Sequence, residues 1–140
     1  RKNIISYLGE TEDVRPFLED TSCLVFPSFY NEGISRILLE AAAMGKLIIT
    51  TDNVGCRDVV EDNFNGFICQ PKDKNDLARK ILKFIELPFR DQELMGLNGR
   101  KVVINKFSEE RVINIYINFL NRHFDFQPVF NKSLKSPSSS

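Results

Sequence analysis

Three short runs, Cys23–Phe26, Leu47–Thr50 and Gly66–Cys69, are almost wholly apolar, and stretches of helical composition separate them. A strand with one solvated face alternates polar and apolar residues, so a run that is apolar throughout is expected to be buried on both faces. Strands of that kind, spaced by helices, imply βαβ crossovers and a parallel sheet with helices on both faces, a Rossmann-like α/β fold. The spacing predicts a further strand over Asn3–Leu8, closed by Gly9. It predicts helices from Asp13 to Asp20, Arg36 to Met44, Cys56 to Glu61 and Asp73 to Pro88. In the fourth of these, Leu77, Ile81, Leu82 and Ile85 fall on one face. Two more helices are expected from about Asp91 to Asn105 and from Ser108 to Arg122.

Such a sheet binds its ligands beyond the carboxyl ends of the strands. The loops of interest are therefore Gly9–Asp13, Pro27–Ser35, Thr50–Cys56 and Cys69–Asp73. The second joins a buried strand to the Ala-rich helix. It carries Glu32 and Gly33, and it delivers backbone N–H groups to a helix N-terminus. Those N–H groups lack intrahelical partners and the helix dipole adds positive charge, which together suit a phosphate or pyrophosphate. Gly33 has no Cβ to keep a ligand away, and Arg36 begins the helix with a forked cation. Were Glu32 and Glu40 both helical they would stand ~80° apart around the axis. With Glu32 in the loop and Glu40 one turn into the helix, two carboxylates grip different parts of one extended ligand. A carboxylate accepts hydrogen bonds from two vicinal hydroxyls, as on a ribose or a sugar ring.

Composition narrows the classes. The 140 residues suit one domain of ordinary size, and 19 basic against 19 acidic residues give a formal charge of zero, which argues against a polybasic nucleic-acid binder. No apolar run reaches the roughly 18–20 residues of a membrane span, and no signal peptide is evident. Cys23, Cys56 and Cys69 are far apart, form no CxxC pair, and read as reduced core thiols rather than zinc ligands. His123 is the single histidine and reads as structural, at a helix end. The stretch Phe119–Phe130 is expected to pack back on the sheet or on another domain. The first residue is Arg1, and the chain reads as a piece of something larger.

The segment Glu32-Gly-Ile-Ser-Arg-Ile-Leu-Leu-Glu40 resembles the E-x7-E motif of retaining GT-B glycosyltransferases of family four. The likeness extends beyond it. Tyr7-Leu8-Gly9 looks like the family's F-L-G strand and Leu24-Val25-Phe26-Pro27-Ser28 like its v-l-P-S strand. Leu39-Glu40-Ala-Ala-Ala-Met-Gly45 resembles L-E-A-m-A-x-G. Ile48-Ile-Thr-Thr-Asp52, then Val54-Gly55-Cys56-Arg57-Asp58, is similar to i-i-t-T-D-v-p-G-C-r-E, and Glu61-Asp-Asn-Phe-Asn-Gly-Phe67 to E-d-g-x-N-G-f. The ordered set covers about residues 3–122. The branch most resembled is that of bacterial transferases making lipid-linked oligosaccharides, capsule and O-antigen, some of them transferring N-acetylgalactosamine. Two positions depart from the pattern: Ser35 stands where Pro or Gly is usual, and Asp58 where Glu is usual.

The resemblance implies the donor-binding half of a GT-B fold without its first two strands. Residues 1–122 would form the nucleotide-sugar domain and 123–140 a partly disordered tail. It implies that Glu40 binds ribose hydroxyls and Glu32 the donor sugar. N–H groups of Gly33, Ile34 and Ser35 hold sugar and diphosphate, Arg36 adds a cationic contact, and Val14 lies at the uracil edge. No metal and no cofactor are implied. The partners implied are a nucleotide sugar, an undecaprenyl-linked or polysaccharide acceptor and a further N-terminal domain. The place implied is the cytoplasm, at the inner face of the membrane. An unpaired sheet edge would favour a homodimer, and this piece alone is expected to have little or no activity.

Other classes stay open at this level. A stand-alone α/β nucleotide-binding or protein-interaction module shares the element order. A receiver domain would need an Asp pair after its first strand, where this chain has Gly9-Glu10-Thr11, and a flavodoxin a Ser/Thr-rich phosphate loop there. Response to UDP separates these readings.

Overall fold

A computed structural model describes residues 4–30 and 33–110. The chain divides into two units, Arg1–Asn105 and Lys106–Ser140. The elements of the first run α1 (Arg15–Glu19), β1 (Cys23–Phe26), α2 (Arg36–Ala43), β2 (Leu47–Thr51), α3 (Val54–Arg57), β3 (Gly66–Cys69), α4 (Lys74–Glu86) and α5 (Phe89–Phe107), whose last two residues belong to the second unit. The strands form one parallel sheet in the order β1-β2-β3. Cys23 pairs with Leu47 and Phe26 with Thr50; Ile48 pairs with Gly66 and Thr51 with Cys69. All three carboxyl ends therefore lie at one edge of the unit.

β2 is the central strand and every residue of it is buried. Its side chains alternate between two helical layers. Leu47 and Ile49 join Phe67 and Met95 of α5 in a core that Leu77, Ile81 and Phe84 of α4 cover. On the opposite face the Thr50 hydroxyl meets Cys56 of α3, and Leu38 of α2 lies fully buried near that cysteine. The predicted α/β class with helices on both faces is what forms. A run that is apolar throughout suits a strand whose two faces are both covered.

Local chemistry explains the boundaries. Asp73 caps α4, its side chain accepting from the N–H groups of Asn75 and Asp76. Gly45 follows α2 with φ of 72°, a left-handed turn that glycine adopts without strain. Gly66 begins β3 where a Cβ would stand 2.2 Å from the Ile48 carbonyl oxygen.

Several expectations are corrected. Residues 4–8 form no strand, and Ile4, Ile5 and Tyr7 are almost fully exposed. Their composition suits a strand, but no strand among the described residues pairs with them, and a ladder needs a partner. β1 is half-buried rather than buried on both faces, with Val25 40% exposed. Its only neighbour among the described residues is β2. Val14, not Asp13, is the N-cap of α1, because Asp13 turns its carboxylate on Arg15 instead. α3 starts at Val54, two residues earlier than expected, because the Asn53 side chain accepts from the Cys56 N–H and fixes the start there. α5 starts at Phe89, directly after Pro88, whose carbonyl accepts from the N–H groups of Asp91 and Gln92. His123 and Phe119–Phe130 lie outside the described residues.

Candidate functional site

The loop after β1 is held at its start by the end of β2. Thr50 donates its hydroxyl to the Phe26 carbonyl at 2.8 Å, and Thr51 donates to the carbonyl of Ser28. Asn53 Nδ2 donates to the same Ser28 carbonyl at 3.1 Å, while its Oδ1 accepts the Cys56 N–H and caps α3. These three polar side chains are buried, Thr50 completely. Each has its partner in the loop or in α3, so their burial costs little. They steer the chain from β1 toward the start of α2.

At that start Ser35 takes an extended conformation, and its carbonyl accepts from the Leu38 and Leu39 N–H groups. Its hydroxyl does not cap the helix. Among the described residues, the N–H groups of Arg36 and Ile37 have no acceptor. The first turn of α2 contains no acidic residue. An uncapped N-terminus of this kind favours an anion. It borders a narrow cleft lined by Ser28, Tyr30, Gly33, Ser35, Asn53 and Gly55, among others, with room for about one water molecule.

Glu40 stands one turn into α2, half-buried. Arg36 Nε donates to Glu40 Oε1 at 2.8 Å, and the Arg36 side chain is 83% exposed. Val14, half-buried, caps α1, and α1 packs on α2. The first turn of α1 brings further charge. Arg15 grips Asp13 with Nε at 2.8 Å and Nη2 at 2.9 Å. That fork, with the Arg15 backbone N–H, holds the Asp13 carboxyl down at about 2, and Arg36 acts in the same direction. Asp13 in turn raises Arg15, and Glu40 adds to that effect.

Of the residues singled out from sequence, Gly33, Ser35 and the start of α2 are brought to one cleft, with Ile34 between them and exposed. Arg36, Glu40 and the Val14 turn form a charged neighbour to it. Glu32 lies outside the described residues. Thr50, Thr51 and Asn53 lie in the Thr50–Cys56 segment that the sequence marked as a loop of interest, but sequence reasoning did not single them out as anchors of the loop after β1.

The loop serves a second cleft as well. Pro27 and Phe29 face it together with Thr51, Lys72, Asp73 and Leu77, and Lys72 Nζ sits 5.3 Å from the Phe29 ring centre.

Comparison with known proteins fits this arrangement. The sequence model described as glycosyl transferases group 1 matches residues 2–102. The chain is 36% identical over 117 residues to the capsular polysaccharide biosynthesis glycosyltransferase CapM of Staphylococcus aureus, covering 81% of this chain and 30% of the relative. It is 34% identical over 82 residues to the N,N'-diacetylbacillosaminyl-diphospho-undecaprenol alpha-1,3-N-acetylgalactosaminyltransferase of Campylobacter jejuni, covering 59% of this chain and 22% of that one. The chain thus spans less than a third of the length of either relative. The crystal structure of Anabaena Alr3699/HepE in complex with UDP superposes with a TM-score of 0.75 over 82% of this chain and 31% of that one; at 22% identity the likeness is one of fold. The family match spans well over half of the 140 residues, with the first turn of α2 and Glu40 inside it, and this chain belongs to the glycosyl transferases group 1 family.

Proposed function

We propose that the chain is the donor-binding part of a retaining glycosyltransferase. The whole protein would move a sugar, a UDP-linked hexose or N-acetylhexosamine, to an undecaprenyl-linked or polysaccharide acceptor in bacterial surface-glycan synthesis. The observation that carries this reading is the start of α2: N–H groups with no acceptor among the described residues, beside a cleft, with a carboxylate one turn further on. Relatives named for capsule and undecaprenol-linked glycan synthesis support the acceptor class.

In this reading the diphosphate sits at the N-terminus of α2, against the N–H groups around Gly33, Ile34 and Ser35. Glu40 accepts from the ribose hydroxyls, Val14 borders the base, and Glu32 contacts the donor sugar. Charge builds on the leaving diphosphate, and preorganised N–H groups with Arg36 stabilise it where it develops. Transfer then needs neither a metal nor an enzyme nucleophile and proceeds by front-face attack.

Residues 1–122 serve as the donor domain, with 123–140 as a tail. A further domain supplies the acceptor site, so the 140 residues alone are of low activity. The side of β1 that no described strand pairs gives a route to a homodimer. The place of action is the inner face of the cytoplasmic membrane, reached peripherally; no described helix is long and apolar enough to cross a membrane.

Calorimetric titration with UDP tests the reading. The wild-type chain binds UDP, and Glu40→Ala weakens binding by about tenfold or more, the scale of a hydrogen bond to a charged group. Equal affinity of the two proteins overturns it.

A further inference from the structure

Arg36 is placed against the local rules of helix chemistry. It is the first residue of α2, where the helix dipole disfavours a cation, and its first turn holds no acid to compensate. Its partner is Glu40, four residues on. A cation N-terminal to its carboxylate at this spacing is the weaker of the two orders. The pair uses one of the guanidinium's five N–H donors and one carboxylate oxygen. Exposed pairs of this kind contribute little and exchange readily.

The neighbouring cation is held differently. Arg15 is clamped by Asp13 through two side-chain bonds, at 2.8 and 2.9 Å. Glu40 acts on it through space and adds to the rise in its pKa. Of the two arginines, Arg36 is the one free to leave.

We infer that Arg36 is an exchangeable latch on Glu40, resting on the carboxylate until a nucleotide's diphosphate draws it away and frees Glu40 for the ribose hydroxyls. This rests on the reading of α2 as a nucleoside-diphosphate site. Arg36 is then a positioning residue for Glu40 as well as a contact for the anion. The two halves of the ligand are coupled through it. A nucleoside alone must displace Arg36 and offers it nothing in return, whereas the diphosphate supplies a new partner.

The coupling predicts effects of opposite sign, which a merely structural role does not produce. Calorimetry on the 140-residue chain compares UDP with uridine. Arg36→Ala weakens UDP by about tenfold, the loss of one charge-assisted contact. It strengthens uridine by about two- to fivefold, the release of one exposed ion pair. Arg36→Lys keeps the charge and moves both affinities back toward wild type, and Arg36→Gln, for which the same opposite shifts are expected, serves as the test should Arg36→Ala fail to fold. Arg36→Ala weakening both ligands alike, or changing neither, overturns the latch, as does Arg36→Lys behaving like Arg36→Ala. Failure of the wild-type chain to bind UDP overturns the nucleotide reading itself, and the latch with it.

Discussion

Gly96 of α5 lies directly on the backbone of Gly45: a Cβ built at Gly96 would stand 1.9 Å from the Gly45 carbonyl oxygen. That oxygen belongs to the left-handed turn that ends α2, and it cannot swing aside as a side chain can. The contact lets the helix that follows α4 press on the turn that leads into β2. Gly96→Ala is therefore expected to destabilise the protein by about 2–3 kcal/mol despite alanine's better helix propensity. Gly99, one turn on, is the internal control. Its nearest neighbours would lie 3.7 Å or more from a new Cβ, ordinary contact. Gly99→Ala is expected to stabilise by about 0.5–1 kcal/mol. Urea unfolding of the two variants checks both signs.

The carbonyl of Ser28 receives two donors, Thr51 Oγ1 and Asn53 Nδ2. Either one alone still satisfies it. Thr51→Val removes one hydroxyl at nearly constant volume and is expected to cost about 1 kcal/mol. Asn53→Ala also removes the cap of α3 and is expected to cost about 2 kcal/mol. In the double variant the carbonyl loses both partners, so the loss exceeds the sum of the singles by about 1 kcal/mol. A thermodynamic cycle from urea midpoints measures the excess. A strictly additive result would show that the two side chains act on the loop separately.

The same residues show what a sequence does and does not disclose. β2 and β3 were legible because burial on both faces leaves an unbroken apolar run, and α4 because Asp73 announces its own cap. The segment over residues 4–8 misled for the same reason. Its composition declares a strand, but pairing is decided by a partner, and composition does not show whether one is present. Thr50, Thr51 and Asn53 were not legible as loop anchors, since their partners in the loop lie 23 to 25 residues away in the chain and meet them only through the sheet register. The helix-forming composition from Arg36 onward placed the start of α2 where it is found. The four-residue spacing of Arg36 and Glu40 was readable, yet only the structure shows Arg36 turned toward Glu40 instead of toward the helix start.

Asp13 should titrate far from an ordinary carboxyl. Its value falls from 3.8 to about 2 because Arg15 binds the ionised form with side chain and backbone. The folded pKa is below the unfolded one, so the carboxylate stabilises the fold above about 3.8 and this contribution is lost as the pH falls toward about 2. Carboxyl chemical shifts followed by NMR give the value directly. Arg15→Ala should return it toward 3.8. A midpoint that stays near 2 in that variant would mean that Arg15 is not the cause.

Cys23 should behave as an inert thiol. It is partly buried at the start of β1, where it packs against the core of Leu47, Ile49 and Phe67. Burial pushes its pKa up from 9.0 to about 12, because the thiolate would have to form away from water. In the unfolded chain the thiol ionises near 9.0, while the folded protein keeps the proton up to about 12. The unfolded state therefore binds fewer protons across that window, and folding stability declines as the pH rises through it. Replacing Cys23 by Ala should flatten that part of the alkaline stability curve, although the cavity it leaves lowers stability at neutral pH. Iodoacetamide at mildly alkaline pH gives a second readout: modification of Cys23 should be slow in the native protein and should rise sharply in about 6 M guanidinium, enough to unfold even very stable domains. Equal rates in the two conditions would place the thiol at the surface and remove the burial argument.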